Sequence, residues 1–125
     1  MGAGLQFWFG RTLEGRKQLA LQRSQAYVDY FKAFALLAQH GKSEPHLAMA
    51  ADAKVRVCIY GAPEVIKILS QFERAGAVVD TPANAGIIIQ LLQAMRKDTG
   101  ARDTSFMQAD MEHVLFGPRF RNAKA

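Results

Sequence analysis

Residues 11–39, RTLEGRKQLALQRSQAYVDYFKAFALLAQ, decide the fold of this chain. The stretch has no proline and a single early glycine, so nothing in it stops a helix. Its second half places Tyr27, Phe31, Phe34 and Ala38 at i, i+4, i+7 and i+11, with Tyr30 and Leu37 beside them. That spacing predicts a stripe packed against other helices. Its first half differs, because between Arg16 and Gln25 only Leu19, Ala20 and Leu21 are apolar. One long helix is expected, its C-terminal half buried and its N-terminal half projecting or packed against another copy.

Working outward, the helix is expected to end at His40-Gly41, where glycine accepts the left-handed conformation and His40 and Lys42 lie near the last carbonyls. Ser43-Glu44-Pro45 restarts the chain as an N-cap and first turn. A second helix is expected to run to about Tyr60, with Ala48, Ala51 or Asp52, Val55, Cys58 and Ile59 on its buried side. Gly61-Ala62-Pro63 stops that helix and starts a third, whose apolar face is Val65, Ile66, Ile68, Leu69 and Phe72. Thr81-Pro82 caps a fourth, where Ile87, Ile88, Leu91, Leu92 and Met95 predict the centre of the fold. Thr99-Gly100 closes it. A short fifth helix from about Gln108 to Phe116 presents Met111, Val114 and Leu115, with Phe106 plugging the core from the preceding loop, and Gly117-Pro118 ends it.

These elements predict an all-α fold, a compact bundle of about five helices with the long N-terminal helix extending from it. Residues 1–26 read as a stalk, 27–117 as the bundle and 118–125 as a basic flexible tail. At 125 residues the chain suits one modest core, and its 50% apolar content excludes disorder of the whole. Short β-branched pieces such as residues 55–59 have no partner strand of comparable quality.

The charge of +5 is concentrated at the ends. Residues 1–32 carry Arg11, Arg16, Lys17, Arg23 and Lys32 against Glu14 and Asp29, and the tail carries Arg119, Arg121 and Lys124 with no acid. A nucleic-acid binder more often gathers basic residues on one folded face with aromatics between them. Nucleic acid is therefore not the expected partner, and binding through the basic ends is the alternative reading.

Residues 1–10, MGAGLQFWFG, join small residues to the aromatic trio Phe7, Trp8 and Phe9, followed by Arg11. Trp at headgroup level with basic residues after it is the pattern at the end of a membrane span. The apolar stretch 5–9 falls far short of the roughly 20 residues that cross a bilayer. The expectation is a membrane interface formed by Phe7, Trp8, Phe9 and Arg11, the tail of a span begun upstream. An amphipathic segment docked on protein is the competing reading. Leu5, Trp8 or Phe9, Leu13, Leu19 and Ala20 also form an interrupted seam, which predicts a homo-oligomer through the N-terminal helix.

Chemistry is sparsely represented. The lone Cys58 permits neither a disulfide within the chain nor a CxxC pair, and it is expected to be a small buried hydrophobe rather than a nucleophile. His46, Asp110, Glu112 and His113 match no metal motif, and the GAG and GAP phrases match no phosphate loop. No catalytic residue, cofactor or metal is expected, and no small-molecule ligand is legible. Arg96, Lys97 and Asp98, at the end of the fourth helix, are the most distinctive polar cluster. They are read as a tie to Arg56, Arg102 or Asp103, with a partner site as the other reading.

The phrases LQFWFGRTLEGRKQLALQRSQAYVDYF at 5–31, YGAPEVIK at 60–67 and LLQAMRKDTG at 91–100 together resemble a family of uncharacterised bacterial proteins. Members carry an N-terminal membrane helix followed by a small cytoplasmic helical domain. The resemblance implies a domain at the cytoplasmic face of the inner membrane, and it supplies no catalytic residues.

Overall fold

The computed structural model describes residues 2–101 and 108–117, with side chains from Gly15 onward. These residues form five α-helices and no strand: α1 (Gly2–His40), α2 (Glu44–Tyr60), α3 (Pro63–Arg74), α4 (Pro82–Asp98) and α5 (Gln108–Phe116). The all-α fold expected from the apolar periodicity is what the chain adopts. It divides into two compact units, residues 1–61 and 62–125.

In the first unit α1 and α2 pack side by side. Gly41, at φ 81°, ends α1 in the left-handed conformation that glycine takes without steric penalty, and its amide donates to the Leu37 carbonyl at 3.0 Å. Three residues later α2 starts with Glu44 and Pro45, both suited to a first turn. So short a link returns the chain antiparallel to α1. The Arg23 Nε donates to the Tyr60 carbonyl at 2.6 Å and the Arg56 Nη1 to Asp29 at 2.7 Å. This register sets Ala26 at the level of Val57, Tyr30 at that of Ala53 and Ala33 at that of Ala50, and all six are buried. Four alanines among them let the two backbones approach closely, while Tyr27 and Tyr30 supply apolar area.

Two expected faces are rotated in the structure. On α1 the fully buried residues are Ala26, Tyr27, Tyr30 and Ala33, Phe31, Phe34 and Leu37 are half-buried, and Ala38 is exposed. On α2 the buried residues are Ala50, Ala53 and Val57, whereas Ala48, Ala51, Asp52, Val55, Cys58 and Ile59 are all exposed. Both sets on α2 recur at helical spacing, and the position of Arg56 decides between them. Its guanidinium reaches Asp29, which turns Ala53 and Val57 toward α1 and Val55 and Ile59 away.

In the second unit α4 packs against both α3 and α5. α3 buries Val65, Ile68, Leu69 and Phe72, and α4 buries Ala85, Ile88, Ile89, Leu91 and Met95. Burying side chains of this size contributes about 1.5–3 kcal/mol each. The α3–α4 connection turns at Gly76 (φ 100°) and Ala77 (φ 56°), and the Ala77 amide reaches back to the Phe72 carbonyl at 3.0 Å. Thr81 caps α4, its Oγ1 accepting from the Asn84 amide at 3.2 Å. The Asn84 side chain then donates to the Val78 carbonyl at 2.9 Å and to Asp80 at 3.3 Å, fixing the loop to the helix it precedes. α5 buries no residue fully: Met111 is half-buried and Val114 is 82% exposed, so the inward placement expected of Val114 and Leu115 does not occur. Phe106 lies outside the described residues.

Candidate functional site

Arg56 is the centre of a developed polar group among the described residues. Its Nη1 donates to Asp29 Oδ2 at 2.7 Å, across from α2 to α1, while Nη2 and Nε donate to Asp52 Oδ2 at 2.8 and 3.1 Å along α2. The Gln25 amide donates to the other Asp29 oxygen at 2.9 Å. One guanidinium thus joins two carboxylates, and one carboxylate joins two helices. The Asp29 and Arg56 side chains are each 28% exposed, so water screens the pair only partly.

The hydrogen bond from Arg56, then that from Gln25, hold the Asp29 carboxyl below its ordinary 3.8. The bonds to Asp29 and then Asp52 push the Arg56 guanidinium above its ordinary value. Both groups are charged and mutually satisfied at neutral pH, which is what a structural brace requires. A general acid or base would need a titration near the working pH and access to a substrate proton. The bracket fixes the register of α1 against α2 and gives no chemistry of its own.

The expected interface residues Phe7, Trp8, Phe9 and Arg11 lie on α1, and their side chains lie outside the described residues. Farther along the same helix, residues 15–22 are all exposed, leaving Leu19 and Leu21 uncovered. α2 ends at the level of Arg23, so it cannot cover them. Among the described residues no helix is long and apolar enough to cross a membrane.

Arg96, Lys97 and Asp98 form the last turn of α4. The backbone of this cluster serves the cap: the Arg96 carbonyl accepts from Thr99 Oγ1 at 3.1 Å and from the Ala101 amide at 3.2 Å, and Gly100, at φ 96°, donates to the Lys97 carbonyl at 3.2 Å. The side chains of Arg96 and Lys97 are exposed and Asp98 is half-buried. Of the expected tie partners, Arg56 is engaged by Asp29 and Asp52, and Arg102 and Asp103 lie outside the described residues.

Cys58 is exposed, contrary to the buried position expected, because it stands on the side of α2 turned away from α1. No group of three or more His, Cys, Asp or Glu side chains with metal-binding geometry occurs among the described residues. The Asp29–Arg56–Asp52 bracket is the feature that reading the sequence missed. Asp52 and Arg56 at i, i+4 on one helix signal a pair, but Asp29 becomes legible only once α2 is folded back on α1.

Compared with protein families, curated proteins and solved structures, the chain matches none.

Proposed function

We propose that this chain is a non-enzymatic interaction or scaffold module held at the cytoplasmic face of a membrane, with α1 as the connector between the attachment point and the helical body. The observation that carries this reading is the unequal length of the first two helices. α1 has 39 residues and α2 has 17, and α2 flanks α1 only from Arg23 onward. The segment from Gly15 to Arg23, whose residues are exposed as far as Gln22, is therefore a helical arm of about 12 Å at 1.5 Å per residue. The Arg56 bracket and the Arg23–Tyr60 bond sit at the base of this arm and hold it in line with the α1–α2 pair. Beyond the arm stands the aromatic trio followed by Arg11, a composition suited to the headgroup region. The uncovered Leu19 and Leu21 support association of arms from two or more copies.

Fractionation of cells expressing the full-length gene product tests attachment. Recovery with membranes, released by detergent but not by concentrated salt, is the expected result, and a protein wholly in the soluble fraction overturns the reading. Light scattering of the chain with and without residues 1–15 tests association, where equal monomer masses would remove it.

A further inference from the structure

We infer that His40 and His46 form a binding site for a transition-metal ion of the zinc, nickel or copper class at the corner between α1 and α2. This inference is independent of membrane attachment. The two residues are six apart and match no metal motif in sequence; the turn at Gly41 brings them together. Their ring centroids lie 5.8 Å apart with the ring planes at 35°. A metal about 2.1 Å from an imidazole nitrogen lies about 3.2 Å from the ring centroid. Two such ligands with centroids 5.8 Å apart subtend an angle of roughly 130° at the metal, a modest opening of the tetrahedral value. The centroid separation therefore suits one shared ion, reached when each ring turns a nitrogen toward it.

A second observation concerns the nitrogen itself. His46 Nδ1 is buried and has no hydrogen-bond partner. A buried ring nitrogen carrying a lone pair is satisfied by a metal ion as well as by a hydrogen-bond donor. His40 closes α1, where the final carbonyls carry partial negative charge and favour a cation. The exposed Lys42 and Glu44 lie between the two in sequence, with opposite charges. Since two imidazoles are the protein ligands, water completes the coordination shell, and the ion binds reversibly rather than as a structural core. Imidazole suits zinc, nickel and copper over magnesium or calcium, which prefer oxygen.

Calorimetric titration of the full chain with zinc chloride tests the site, with the melting temperature read at each metal concentration. One ion per chain and a rise in melting temperature are expected. Cys58→Ser and His113→Ala should leave both unchanged, while His40→Ala or His46→Gln should weaken binding about tenfold or more. Melting curves without metal identify any variant that fails to fold, and His40→Ala, at an exposed position, then carries the test alone. Magnesium should give no heat of binding. Absence of zinc binding by the unaltered chain, undiminished binding by His40→Ala, or loss of binding on Cys58→Ser or His113→Ala overturns the assignment.

Discussion

Exchanging Asp29 for Asn, Arg56 for Gln, and both together isolates the energy that holds α1 in register with α2. The Arg56–Asp29 contact is 2.7 Å, and each side chain retains 28% of its exposure. Fully exposed pairs couple by about 0.2–1 kcal/mol, and the partial covering of this one places it near the upper end. Arg56 keeps Asp52 at 2.8 Å when Asp29 is neutralised, so no charge is stranded and the loss stays moderate. Asp29→Asn is expected to cost about 1 kcal/mol, with a coupling of about 0.5–1 kcal/mol in the double-mutant cycle. The pH dependence follows from the lowered Asp29 value. A carboxyl whose folded pKa is depressed stabilises above its unfolded value and loses that contribution as pH falls through the folded one. The difference between the natural chain and Asp29→Asn should therefore be constant from about pH 5 upward and shrink below about pH 4, toward and past the folded value. Urea unfolding followed by circular dichroism at pH 7 and at pH 3 measures both. A coupling of zero, or a difference that survives unchanged at acid pH, would refute the bracket as the register device.

Other substitutions test the packing. Phe72→Ala removes a fully buried ring and should cost about 3–5 kcal/mol in urea unfolding, while Val114→Ala, at an exposed position, should change stability by less than about 0.5 kcal/mol. Two glycines should respond with opposite sign in thermal melts. A Cβ at Gly61 would overlap the Val57 carbonyl oxygen, so Gly61→Ala should destabilise by about 1–3 kcal/mol, whereas Gly86 has open space inside α4 and Gly86→Ala should stabilise by about 0.5–1 kcal/mol. Cys58 is exposed, so a water-soluble maleimide should modify the native protein at nearly the rate it modifies the urea-unfolded one; protection in the native state would mean that this side of α2 is covered.

The helix boundaries were legible because the chain punctuates them with residues of fixed conformational preference. Gly41 and Gly100 take positive φ, and Thr81-Pro82 gives both a side-chain cap and a first-turn proline. The inward face of α3 was equally legible, since Val65, Ile68, Leu69 and Phe72 stand opposite Lys67, Gln71 and Arg74. α2 lacks that contrast. Alanines and β-branched residues occur on both of its sides at the same spacing, and the choice between Val57 and Val55 belongs to a partner helix that local sequence does not specify. Asp29 and Arg56 stand 27 positions apart, and their pairing emerges only from the fold. The same holds for His40 and His46, which are brought together by one glycine turn.

Trp8 is the only tryptophan in the chain, so its fluorescence reports directly on the segment assigned to the membrane interface. Titration of the full chain with vesicles containing anionic lipid should shift its emission to the blue and expose it to quenchers placed at headgroup depth. Emission unchanged by vesicles, with full access to a water-soluble quencher, would contradict attachment through this end of α1.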